Sequence, residues 1–445
     1  ALSACLVLEK DTWGYQKISV SVTGSFIQVY KKELTTEDFL GSTYELEYVI
    51  DPATFATGNN YGKITIQTLT KTIEIPVNCM KAARENQSAL RRSVKTSTYD
   101  LFSDFLKLRM NRISKEQWIR QTREAVDCCR NNSTDKLYEL FELHFSLLAG
   151  EIHNAAAIIE ANEKKAMELR RQSVLYYDYF LYLTALYRQE PAHTKFVLDT
   201  IQSDYNRQYN DWQLLWCFLD LASRLPYGRR FAYIKAQFVK GCNSSLLYWE
   251  AISALNQEPA LLRDFSDFEI ALMAWGMHHE CLKPEVIYQF AQLASRSRSC
   301  GPLALKTLME LCEIYENKEI LQAVCTMLIR GKKTDVRYNR WYALAIKSSL
   351  RIPGIYEYYM YSLDEDHVDS LPDGILLYFK LDNHMPDAKK AFIYHYVIRH
   401  REIQPSVYAG YEPMMKAFAF KQLKEGKISR HLAALYKHFI TPENL

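Results

Sequence analysis

From about residue 136 to the C-terminus, apolar positions recur at helical spacing in stretches of helix length, each bounded by glycine or proline. The boundaries include Gly150, Pro191, Pro226–Gly228, Gly241, Gly276–Pro284, Gly301–Pro302, Gly331, Pro353–Gly354, Pro405 and Gly426. Pairs of short helices stacked in a row produce this cadence, because no single pair can bury its own apolar face. Two boxes punctuate the array. Ser114 with Gln117 and Ser266 with Glu269 have the spacing at which each side chain meets the other residue's backbone N–H.

Before residue 80 the period changes to two. Ile18–Val22, Phe26–Tyr30, Tyr44–Tyr48, Ile64–Ile66 and Thr72–Val77 alternate apolar and polar residues and read as strands. Turn signals separate them at Thr23–Gly24, Leu40–Ser42, Asp51–Pro52 and Gly58–Gly62. Short strands at this spacing with one apolar face predict an antiparallel sandwich.

The fold class that follows is an N-terminal all-β immunoglobulin-like sandwich over 1–80 and an all-α helical-repeat solenoid, tetratricopeptide-like, over 99–445. A basic linker over 81–98 joins them, where Lys81, Arg84, Arg91, Arg92 and Lys95 face only Glu85. Such a run is usually a solvated linker or an exposed helix face. Arg84, Arg91 and Arg92 are also the residues that would meet an acidic partner.

Two resemblances sharpen the expectation. The stretch EYVIDPATFATGNNYGKITIQTLTKTIEIPV, Glu47 to Val77, resembles the second half of bacterial immunoglobulin-like domains. There an Asp-Pro strand end, a Gly…Tyr-x-Gly turn and an Ile-Pro-Val last strand recur. Leu137–Ala161 and Met414–Pro442 resemble tetratricopeptide units, although the tryptophan, leucine-glycine and tyrosine positions of the first helix are not filled in register. The whole layout, with YDYFLYLTALYRQEP and ISKEQWIRQTREAVD, is similar to segments of the very large uncharacterised proteins of Clostridia and related Firmicutes. That resemblance implies a setting and no activity.

Composition narrows the partners. A formal charge of +3 over 445 residues gives no basic footprint for nucleic acid, and no stretch approaches the roughly 20 apolar residues of a membrane span. The chain opens Ala1–Leu2–Ser3, with no initiator Met and no signal-type apolar core, and reads as an excised piece. The ten cysteines show no zinc-type spacing, so buried thiols in a cytoplasmic protein are expected. Export is the alternative if Cys5 and Cys79 form a disulfide.

The chemistry-bearing clusters are few. Tyr356, Tyr358, Tyr359 and Tyr361 offer large amphipathic contact area for a partner. A second cluster, Tyr176 to Tyr182, lies in a helix apolar nearly all round and reads as packing. Asp364, Glu365, Asp366 and Asp369 around His367 fail the EF-hand pattern and read as a solvated loop. His278–His279–Glu280–Cys281 points its residues in different directions on a helix. There is no glycine-rich phosphate loop, GxSxG elbow or HExxH, so no catalytic residue, cofactor or metal is assigned.

The expected function is a non-catalytic protein–protein interaction scaffold whose solenoid surface holds other proteins. The alternative is a carbohydrate-active (α/α)-barrel enzyme or glycan-binding protein with an accessory β-sandwich. That enzyme needs paired carboxylates facing one cleft and a tryptophan-lined trough, and the seven tryptophans are scattered.

Overall fold

The computed structural model describes residues 2–11, 14–55, 58–81, 88–132, 135–207, 211–298, 301–368, 370–381 and 384–440. They form two facing antiparallel sheets and then an array of helices. The strands are β1 (Leu2–Glu9), β2 (Lys17–Thr23), β3 (Ile27–Val29), β4 (Glu33–Thr35), β5 (Thr43–Ile50), β6 (Gly58–Gln67) and β7 (Thr72–Lys81). One sheet runs β1-β5-β3 and the other β4-β2-β6-β7. Alternation works as expected: Ile18 and Val20 of β2 turn inward, and Lys17, Ser19 and Ser21 turn out. Phe26, Leu34, Leu46 and Ile64 fill the space between the sheets.

The structure corrects one turn. Gly58–Gly62 is the first half of β6, paired with Val77 to Lys81. Gly62 is there for close approach. A Cβ would sit 2.5 Å from the Thr23 carbonyl oxygen and 2.6 Å from Ile27 Cδ1. The Thr23–Gly24 and Leu40–Ser42 turns hold, with Gly24 at φ +101° and Gly41 at φ +69°.

Cys5 and Cys79 are free thiols, which overturns the disulfide. Cys79 packs against the sandwich core with Leu6 and Leu8. Cys5 is exposed on the opposite face of β1 from those leucines, because alternate residues of a strand face opposite ways.

Helix begins inside the stretch read as linker. The first elements are α1 (Ser88–Arg109), α2 (Lys115–Asn132), α3 (Lys136–Ala149), α4 (Ile152–Glu163) and α5 (Ala166–Gln172). Next come α6 (Val174–Arg188), α7 (Pro191–Arg207), α8 (Trp212–Leu221), α9 (Tyr227–Val239) and α10 (Ser245–Gln257). Then follow α11 (Asp267–His278), α12 (Pro284–Arg296), α13 (Pro302–Tyr315), α14 (Lys318–Arg330) and α15 (Asn339–Lys347). The last are α16 (Ile355–Tyr361), α17 (Asp373–Leu381), α18 (Asp387–Arg399), α19 (Pro405–Lys424) and α20 (Arg430–Phe439).

Most expected boundaries fall at helix ends, for identifiable reasons. Gly150, at φ +85°, closes α3 in the left-handed conformation that glycine adopts without a Cβ penalty. Pro284, Pro302 and Pro405 open helices, where a missing N–H costs nothing. Gly228 and Gly276 differ: they lie inside α9 and α11. At Ser114 the hydroxyl accepts the Gln117 N–H at 3.2 Å. At Ser266 the backbone N–H donates to the Glu269 carboxylate at 3.2 Å.

The chain divides into two compact units, and the division is not at residue 80. The first contains the sandwich and α1 to α10 (Ala1–Leu261 with His279–Cys281), and the second holds the remaining helices. Within the first unit Gly241, at φ +100°, sits against β6, where its Cβ would stand 3.5 Å from the Gly62 carbonyl oxygen. In both units helices pack on near neighbours in sequence. Thus α2 lies on α1 and α3, α6 on α5, α7 and α8, α14 on α12, α13, α15 and α16, and α18 on α19 and α20. Packing dominated by near neighbours is that of a helical solenoid, and α3 on α6 is a longer step within it.

Candidate functional site

The tyrosines expected to face a partner divide by the geometry of a helix. Successive residues in α16 turn by about 100°, so four tyrosines in six positions cannot share a face. Tyr359 is 5% exposed and belongs to the core, which removes it as a contact residue. Tyr356, Tyr358 and Tyr361 are half-buried. Tyr358 packs edge-on to Tyr361 at 5.8 Å. Tyr356 stacks on Tyr378 of α17 at 4.6 Å, and the Tyr378 hydroxyl donates to Glu357 at 2.6 Å. This brace supports α17.

Beyond it, α17 and α19 enclose a hollow of about 340 Å³ lined by Leu376, Leu377, Lys380, Val407 and Tyr411 among others. Leu377 and Leu381 lie one helical turn apart and are 65% and 83% exposed. Arg84 lies outside the described residues, and so do the side chains of Arg91 and Arg92, although their backbone belongs to α1.

The acidic loop before α17 is consumed by ion pairs. Asp364 accepts from His367 at 2.8 Å, Glu365 meets Lys389 at 2.6 Å, and Asp366 meets Arg430 at 2.8 Å. His367 is raised by its hydrogen bond to Asp364. Asp369 lies outside the described residues.

The first unit contains a feature that the sequence reading missed. Side chains from α1, α2, α3, α6, α8 and α10 line a cavity of about 140 Å³. Phe105 meets Trp216 edge-on at 5.5 Å, Phe102 meets Phe141 at 5.7 Å, and Trp118 lies against Phe145 at 5.3 Å. On its wall His144 Nδ1 and the Tyr179 hydroxyl are hydrogen-bonded at 2.9 Å. Burial pushes His144 down to about 4, with the Asp220 charge partly opposing and the Arg109 charge acting in the same direction. Burial raises the Tyr179 phenol and the Cys217 thiol well above their usual values.

Next to the cavity stands an ion-pair cluster. Arg109 bridges Asp220 at 2.9 Å and Glu250 at 2.5 Å, and the Tyr182 hydroxyl donates to Asp220 at 2.8 Å. Farther along α6, Asp178 is wholly buried, and neither carboxyl oxygen has a hydrogen-bond partner. Burial first, and the Asp204 charge second, push it up to about 8. Asp204 itself is engaged by Arg170 at 3.0 Å. Burial raises Asp211 to about 7.

The α3 side of the cavity was legible, since Phe141, Phe145 and Leu148 share one helical face. The signal for the rest was Trp212 and Trp216, four apart on α8, with Phe102 and Phe105 on α1. Nothing local says that these faces converge.

In class the chain is a β-sandwich joined to a helical repeat array. It belongs to the family described as "Family of unknown function (DUF5717) N-terminal", whose model matches residues 2–445. Comparison with curated proteins and with solved structures finds no match. Among the described residues, no helix is long and apolar enough to cross a membrane.

Proposed function

We propose that this chain is a non-catalytic scaffold that holds a protein partner on its helical surface. One observation carries the reading. Helix α17 presents Leu377 and Leu381 to solvent, one turn apart, beside the α17–α19 hollow. Exposed large side chains scattered singly are ordinary, whereas a pair beside a hollow is the start of a docking surface. The matching partner element is an amphipathic helix or short apolar segment whose anchor side chain enters the hollow. Lys380 on the wall favours an acidic flank on that segment.

The test is affinity capture from the organism that carries the chain, run in parallel with three baits. These are the wild type, the double variant Leu377→Ser/Leu381→Ser, and a control, Ile152→Ser, on exposed α4. A partner retained by wild type and control and lost by the double variant supports the reading. Equal retention by all three removes α17 as the docking face.

A further inference from the structure

We infer that the cavity between α1, α2, α3, α6, α8 and α10 is a binding site for a small, uncharged single-ring aromatic molecule bearing a hydroxyl or carbonyl oxygen. Size comes first. A cavity of about 140 Å³ is close to the engineered apolar cavity of about 150 Å³ that takes up benzene. Shape comes second. The Phe105–Trp216 and Phe102–Phe141 pairs are nearly perpendicular, at 83° and 88°. The wall therefore presents both ring faces and ring edges, and a flat guest can meet both in the preferred offset and edge-to-face arrangements.

Charge sets the ligand class. No Asp, Glu, Lys or Arg lines the cavity, so a charged guest would surrender its hydration without gaining a counter-charge. A wholly apolar guest would leave other features of the wall unused. His144 and Tyr179 place a hydrogen-bonded pair there, and each has capacity for a further bond. Trp118, Thr122 and Trp216 also line the cavity, each more than nine-tenths buried. Trp118 Nε1, Thr122 Oγ1 and Trp216 Nε1 are closed off from the cavity space, so the partly exposed His144–Tyr179 pair is what an oxygen on the guest meets. Phe102 is an exposed member of the lining and marks the way in.

The protein carries its own reporter, because Trp118, Trp212 and Trp216 are three of its seven tryptophans and all line the cavity. The probe is 4-bromophenol, a neutral phenol whose heavy atom quenches tryptophan on contact. The expected result is saturable one-site quenching with a dissociation constant below about 1 mM. Bromobenzene, lacking the oxygen, should bind several-fold more weakly. Val126→Phe, which fills the cavity, should weaken 4-bromophenol at least tenfold while keeping the wild-type circular dichroism.

Quenching that stays linear to the solubility limit, or is unchanged in folded Val126→Phe, overturns the site. Equal binding of bromobenzene overturns the polar part of the assignment. If Val126→Phe does not fold, wild-type methyl spectra decide. Shifts confined to the lining methyls of Leu101, Thr122, Val126, Leu137, Leu148, Leu175 and Leu246 support the site, and shifts spread over methyls away from it refute it.

Discussion

Replacing Asp178 by asparagine should stabilise the protein at neutral pH and leave it nearly unchanged in acid. In an unfolded chain an aspartate releases its proton near pH 4. In the folded protein Asp178 holds it to about 8. Between these values only the folded state keeps the proton. Stability therefore falls as pH rises, by about 1.4 kcal/mol per unit for this group. The contribution is fully present below about pH 4 and lost as pH passes through about 8. At pH 7, some three units above the unfolded value, the cost is on the order of 4 kcal/mol, an upper figure because the nearby Asp211 titrates in the same range. Asparagine has the same size, takes up no proton and leaves the Arg170–Asp204 pair in place. The assay is urea unfolding followed by α6 amide exchange, at pH 4.5, 6 and 7.5, for both proteins. The difference should grow steadily with pH in favour of the variant. A difference that is independent of pH, or a variant less stable at pH 7.5, would mean that Asp178 does not hold its proton in the folded protein. Asp211, raised to about 7 by burial, keeps a residual slope in both proteins.

Three further perturbations test the packing. Gly62→Ala should cost the sandwich at least about 2 kcal/mol, because its Cβ meets Thr23 backbone that cannot rotate away; protease susceptibility of residues 2–80 reads it. Arg109→Met keeps the side-chain stem but leaves Asp220 with the Tyr182 hydroxyl and Glu250 with the more distant Arg230, at roughly 2–4 kcal/mol in thermal or urea unfolding. Unchanged stability would mean that water already compensates those carboxylates. Asn317→Ala removes the cap that accepts the Glu319 N–H at 2.7 Å and the Ile320 N–H at 3.4 Å. It should cost about 1 kcal/mol, read by amide exchange at the start of α14.

Much of the fold was legible because burial imposes a period. Five strands alternate, since one face of each meets the core. β1 was not legible: it is an edge strand with Leu2 and Val7 both exposed, so LSACLVLE carries no alternation. β4 is three residues long and is held by pairing with β2 rather than by any pattern of its own. The glycines around Tyr61 look like a turn in sequence, yet Gly62 is required by Thr23 and Ile27, which are far from it along the chain. The same limit governs the sites. The run of tyrosines in α16 could be seen, but the inward turn of Tyr359 follows from which face of the helix meets the core. The α3 part of the cavity wall was visible, while Phe105, Trp118 and Trp216 come from helices up to more than a hundred residues apart. Their convergence is a property of the stacking.

The most direct test of the scaffold proposal is amide hydrogen exchange on the chain with and without its captured partner. Protection is expected in α17 and the facing part of α19, and Leu377→Ser/Leu381→Ser should abolish it. Protection elsewhere with α17 unchanged, or no protection under saturating partner, would contradict the proposal.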